Sequence, residues 1–363
     1  MHSTSSSGPE SVAPFGVYVH VPFCASRCDY CAFATWTDRH HLHDDYLAAM
    51  ATEIDRAALG PVTSVFVGGG TPTAVDPAGL VNVLAHIPVV SGAEITVECN
   101  PDDVTPELME VYARGGVTRV SMGVQSMVPH VLASLGRRHR PENVRTAVAA
   151  ARSAGIERIN LDLIYGGAGE SLDDWRTTVE EVLALDPPHV SAYALTVEAG
   201  TPLALEPERH PDDDDLADKY ELADELLESA GRPHYEVSNW AVPGFECRHN
   251  LLYWRQGDYL GIGCAAHSHR SGRRWWNLRT PERYIAAVSA GESTEAAHED
   301  LDVDTRRVEG LQLRLRTTEG IPVDALSPDD REDLAGLVVQ DGDRLVLTRA
   351  GRLLANEVAI RVR

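Results

Sequence analysis

The chain has 363 residues, 43% hydrophobic and 24% charged, enough for one large globular domain or two of ordinary size. Its formal net charge of −23 repels phosphate backbones and argues against nucleic acid as a partner. No apolar run approaches the roughly 18 residues of a membrane span, and six cysteines with no secretory signal before them read as reduced thiols of a cytoplasmic protein.

Residues 1–14, dominated by Ser, Gly and Pro, are predicted to form a disordered lead-in. Short apolar strands then alternate with longer helical stretches. Strands are predicted at 16–21 (GVYVHV), 64–69 (SVFVGG), 94–99 (EITVEC), 119–124 (RVSMGV), 158–164 (RINLDLI) and 189–195 (HVSAYAL). Helices are predicted at 41–59, 78–87, 105–116, 129–138, 142–155 and 171–186, several stopped by Gly or a following Pro. This alternation predicts a parallel sheet with right-handed crossovers over residues 15–200. Strand side chains alternate between faces. One face is polar in strand after strand: Tyr18 and His20, then Glu94, Thr96 and Glu98, then Arg119 and Ser121, then Asn160 and Asp162. A doubly wound sheet is apolar on both faces, and a closed eight-stranded barrel is filled with branched apolar side chains. The pattern predicts an α/β fold, a partial TIM-like (β/α)6 barrel, open and lined for a polar ligand.

Beyond residue 200 the pattern loosens. Asp212 to Asp215 read as a solvated helix start, a helix follows at 216–231, and residues 201–300 read as an extension of the barrel. From 301 to 363 the sequence predicts a C-terminal α+β winged-helix-like domain. Its parts are helices near 303–316 and 328–336, a hairpin at 337–348 turning at Asp341-Gly342, and one short closing helix. In so acidic a chain this unit is expected to pack against the barrel and not to read DNA.

Cys24, Cys28 and Cys31 crowd the loop that leaves the first strand, the end where barrel enzymes place their sites. Thiols at C-x3-C-x2-C spacing read as metal ligands. Zinc would need a fourth donor from elsewhere, because structural zinc sites are closed by four. An iron–sulfur cube held by three thiolates instead keeps one iron open for a substrate or cofactor. Cys99, Cys247 and Cys264 are scattered and read as buried free thiols. A zinc site built from Cys247, Cys264, His267 and His269 is the alternative.

The triplet resembles that of the radical S-adenosylmethionine superfamily. YVHVPFCASRCDYCAF, GGGTPT, VECNP, RVSMGVQS, LGRRH and NLDLIYG follow in the order of its oxygen-independent coproporphyrinogen III dehydrogenase branch, over residues 18–166. The resemblance implies a [4Fe–4S] cluster on Cys24, Cys28 and Cys31, with S-adenosylmethionine on the open iron. Tyr18 and Tyr30 would flank that ligand, and Gly69, Gly70 and Thr71 would meet its methionine end. Glu98, Gln125, Arg137 and Asp162 would complete the pocket.

Two functions occur in this branch. The dehydrogenase oxidatively decarboxylates two propionates of coproporphyrinogen III by means of a 5'-deoxyadenosyl radical. It typically has a fourth cysteine where this chain has Phe33, and a longer arm than the 17 residues that precede Tyr18. Haem chaperones of the HemW type have three cysteines followed by Phe, and a signature H-N-x-x-Y-W matched here by His249, Asn250, Tyr253 and Trp254. The chain resembles the chaperones more closely, with the dehydrogenase as the alternative. The resemblance implies haem as cargo, His249 as the candidate iron ligand, and acceptor haem proteins, respiratory ones above all, as partners. Membrane contact during delivery is expected to be peripheral at most. Read without the resemblance, His249 is a hydrogen-bonded histidine of the core. The chain also departs from the common Leu-Pro after LIYG, having Gly167 and Ala168, which makes that loop more pliable and removes no pocket residue.

Overall fold

The computed structural model describes residues 13–363, so the expected lead-in lies outside the described residues except for its last two. Six strands form where the alternation predicts them: β1 Phe15–Val21, β2 Val62–Gly69, β3 Val89–Cys99, β4 Arg119–Gln125, β5 Arg158–Tyr165 and β6 His189–Ala194. They pair in chain order and all in parallel. Between them run α1 His43–Ala57, α2 Pro77–Ala85, α3 Pro106–Arg114, α4 Pro129–Ser134, α5 Pro141–Ser153 and α6 Leu172–Ala184. Local chemistry sets several of these starts. Asp76 and Thr105 cap α2 and α3 ahead of a proline at the first helical position, and Ser171 with Asp174 forms a capping box on α6.

The apolar phase of the strands makes the core. Val17, Val19, Val97, Val120, Met122, Ile159 and Leu161 are all fully buried against helical residues such as Met50, Leu80, Met109 and Val148. Burial of this kind contributes roughly 1.5–3 kcal/mol per large aliphatic side chain. The opposite phase, carrying Glu98, Ser121 and Asp162, lines a cavity.

The chain after β6 lengthens this sheet at both edges. α7 Asp213–Ser229 leads to β7 His234–Glu236 and β8 Asn239–Ala241, with β8 antiparallel to β6. α8 Arg248–Trp254 precedes β9 Asp258–Ile262, which pairs parallel with β1. β10 His267–Arg270, β11 Arg273–Asn277, α9 Pro281–Ala290 and β12 Glu295–Asp300 follow, the strands antiparallel. The result is an open twelve-stranded sheet with β12 and β7 at its edges, a partial barrel with seven parallel strands where six were expected. β9 escapes sequence reading because it is short and holds a glycine whose Cβ would meet the His267 carbonyl at 2.2 Å.

The C-terminal part has its own apolar cluster, including Leu315, Ile321, Leu326, Leu345 and Val358. It comprises α10 Val303–Leu315, β13 Ile321–Pro322, α11 Pro328–Asp333, β14 Val338–Asp341, β15 Arg344–Leu347, α12 Arg349–Leu353 and α13 Ala355–Ala359. Two short helices close the chain, not one. The hairpin turns at Gly342-Asp343, one residue later than expected, with Gly342 at φ 59° supplying the left-handed position. No helix among the described residues is long and apolar enough to cross a membrane.

Candidate functional site

The cysteine loop is pinched at its neck. Cys24 N–H donates to Trp36 O at 3.1 Å, and Trp36 N–H donates to Pro22 O at 2.7 Å. His20 Nε2–H donates to Ala34 O at 3.0 Å, which leaves Nδ1 to accept from the Tyr18 hydroxyl at 3.0 Å. The turn after β2 lies against this loop. Gly70 N–H bonds Val21 O and Thr71 N–H bonds Phe23 O, each at 2.7 Å. A Cβ on Gly70 would sit 2.6 Å from Phe23 O, and one on Gly69, at φ 108°, would sit 2.4 Å from the His20 ring. Only glycine permits that approach.

All three cysteines open onto one cavity of about 500 Å³, lined also by Tyr30, Gly69, Gly70, Thr71, Glu98, Gln125, Arg137 and Asp162. Burial raises the pKa of Cys24 and Cys31, so their thiolates call for a counter-charge. Arg137 supplies part of it. Its Nη1 points at Cys28 Sγ from 3.8 Å, and its Nη2 donates to Asn100 Oδ1 at 2.8 Å and Gly123 O at 3.0 Å, while Nε has no partner. Thr71 Oγ1 donates to Cys24 Sγ at 3.6 Å. Burial, and then the Asp162 carboxylate, push Glu98 up to about 8, and Glu98 Oε2 accepts from Gly69 N–H at 3.2 Å. Asp162 is raised by burial and accepts from Ser121 Oγ at 2.8 Å. Gln125 stands at φ 64° where the β4–β5 register slips, a strained position of the kind that gathers at functional sites.

Among the described residues, the one trio of metal-ligating atoms within 4.8 Å of one another is Asp224, Glu228 and His234. The three cysteine sulfurs therefore do not all lie within that distance of one another, as donors to one tetrahedral zinc, roughly 3.8 Å apart, would. The alternative zinc grouping is not assembled. Cys247 Sγ donates to Glu94 Oε1 at 3.5 Å, Cys264 is buried in the core, and His269 is bonded to Gly257 O at 3.0 Å.

Two sequence assignments land elsewhere. Tyr18 lines a smaller inner chamber of about 150 Å³, with Phe66, Arg119, His249, Asn250 and Tyr253, and does not line the cysteine cavity. His249 is fully buried, with Nδ1 2.9 Å from Ser64 Oγ and Nε2 2.8 Å from the Tyr253 hydroxyl. Burial lowers its pKa to about 3. With both nitrogens engaged, and beside a chamber smaller than the roughly 300 Å³ lower bound of ligand pockets, His249 is not an open haem ligand. The HNLLYW helix plugs the floor of the barrel. Sequence reasoning missed Asn100, which orients Arg137, and Tyr193, which lines both cavities. VECNP held Asn100 in view without assigning it a role.

Residues 18–182 match the Radical SAM superfamily. A coproporphyrinogen III oxidase (HemN) structure from Escherichia coli, described as a radical SAM enzyme, superposes with TM-score 0.82 at 23% identity, covering 96% of this chain and 89% of that one. That likeness extends to the fold. Proteins named heme chaperone HemW are 42% identical in Mycobacterium tuberculosis (95% of this chain, 94% of the relative) and 34% in Escherichia coli (95% and 97%). A third, in Bacillus subtilis, is 32% identical (94% and 97%). These matches span at least 94% of the chain, and the chain belongs to the radical SAM superfamily and, within it, to the HemW family.

Proposed function

We propose that the protein is a cytoplasmic haem chaperone that carries a [4Fe–4S] cluster with S-adenosylmethionine, binds haem and delivers it to acceptor haem proteins. The observation that carries this reading is the agreement, over at least 94% of the chain, with relatives named heme chaperone HemW. Respiratory haem proteins are the proposed acceptors, by the family resemblance, and any membrane contact is peripheral. The working parts are proposed to be the partial barrel of residues 15–200, its extension at 201–300 and the C-terminal unit from 301.

The chemistry of the cavity supports the cofactor assignment. A cluster held on Cys24, Cys28 and Cys31 would supply an electron and a coordination position for S-adenosylmethionine. The chain's residues do the rest. Cys24, Cys28 and Cys31 provide the thiolates, and Arg137 offsets their charge. The close-packed turn at Gly69 to Thr71 lets backbone approach the methionine end. Glu98 and Asp162 offer acceptors for hydroxyl and amino groups.

Phe33 argues against the dehydrogenase alternative. It lies 67% exposed at this cavity, where the dehydrogenase typically has its fourth cysteine, and a phenyl ring offers neither a proton nor a thiolate. The deciding experiment supplies anaerobic, cluster-loaded protein with haem and an apo haem protein in one arm. The other arm supplies coproporphyrinogen III, S-adenosylmethionine and a strong reductant. Haem transfer without porphyrinogen turnover is expected; catalytic decarboxylation would reverse the assignment.

A further inference from the structure

Haem iron needs an imidazole nitrogen with a free lone pair that a macrocycle can approach, and His249 offers neither. The other described histidines can be sorted by what their rings touch. His20, His139, His189 and His269 are buried and hydrogen-bonded. His86, His130, His234 and His298 face carboxylates. His40 and His43 bond each other, and His210 holds Leu203 O. Two rings remain without a hydrogen bond or ion pair among the described residues: His41, on an exposed turn with no aromatic neighbour, and His267.

His267 is exposed and stacked on the half-buried Trp276, ring centroids 5.6 Å apart and planes at 25°. Strand register fixes where this pair points. His267 is opposite Trp276 across β10 and β11, His269 is opposite Tyr259, and Tyr259 is beside Gly16 of β1. His267 and Trp276 therefore share a face with Tyr18 and His20, on the concave side that carries the cysteine loop. His267 is close enough to His20 to lower its basicity, and His20 holds Ala34 of that loop.

We infer that this shelf is the haem site, with His267 as the axial iron ligand and Trp276 orienting its ring. The inference rests on the haem-chaperone reading. Partial burial of the ring, and then the Arg274 guanidinium, lower the pKa of His267, which favours the neutral ring with an available lone pair. Binding donates that pair to iron, with no proton or electron exchanged. One exposed ligand suits cargo that must leave, because an acceptor can approach the open iron face before the chaperone bond breaks.

Anaerobically reconstituted full-length protein is titrated with ferric haem and followed at the Soret band. His267→Ala is expected to weaken binding roughly tenfold or more and to lose the imidazole-ligated spectrum, which added imidazole restores. Trp276→Leu should weaken binding less, and His41→Ala should change nothing. Wild-type and His267→Ala protein binding haem equally, with one spectrum, would overturn the site alone. Wild-type protein that takes up no haem would overturn the chaperone reading with it.

Discussion

Glu98 and Asp162 crowd two half-buried carboxyl groups onto one wall of the cavity, and desolvation with repulsion from Asp162 lifts Glu98 to about 8. The sign of the consequence follows from linkage. Between its ordinary 4.5 and about 8, the folded protein holds a proton that the unfolded chain has lost, so stability falls as pH rises through that window. A cationic sulfonium ligand favours the ionised carboxylate. S-Adenosylmethionine affinity should therefore rise as pH is raised toward 8 and level off above it, and Glu98→Gln should flatten the Glu98-dependent part of that rise. Calorimetric titrations across pH would read both curves, and identical slopes would remove Glu98 from the site. The carboxylates themselves were legible in sequence, because strand alternation placed both on the polar phase. His267 was not: nothing in one sequence separates 15 histidines by which rings are already bonded.

At the level of elements, the turn after β2 and the helix α8 make opposite demands. Gly69 needs φ 108° and the absence of a Cβ against the His20 ring. Gly69→Ala should cost about 1–3 kcal/mol of stability, read by urea unfolding, and should weaken S-adenosylmethionine binding. His249 ties α8 to β2 through Ser64, and His249→Ala leaves two hydroxyls unpaired above a void. A loss of about 2–4 kcal/mol is expected, with the imidazole-ligated haem spectrum intact; loss of that spectrum in a folded variant would return the ligand role to His249. Six strands were readable because apolar residues recur at every second position through most of them. β9 was not, because its parallel partner β1 lies far along the chain and Gly261 dilutes its alternation; β10 to β12 pair with near neighbours, but their many charged and histidine residues hide the period.

Across the whole molecule, the buried Asp224 carboxylate of α7 ties down α12 of the C-terminal part, beside backbone bonds from Val237 to Arg316 and from Thr318 to Tyr235. Asp224 accepts from Arg352 Nη2 at 2.5 Å, Arg349 Nε at 2.6 Å and Trp240 Nε1 at 2.9 Å. Breaking a buried pair by removing one partner costs about 3–5 kcal/mol. Because the unit has its own apolar cluster, Arg352→Met should split the thermal transition in two and expose the chain around residue 300 to protease. A single undivided transition at the wild-type temperature would contradict that tie.

The account as a whole depends on three thiolates holding an iron–sulfur cube with an iron left for S-adenosylmethionine. Electron paramagnetic resonance of the reduced, anaerobically prepared protein, with and without S-adenosylmethionine, tests this most directly. About four irons per chain and a cluster signal that shifts when the ligand is added are the predicted result. Protein without a cluster, or a signal indifferent to S-adenosylmethionine, would contradict it.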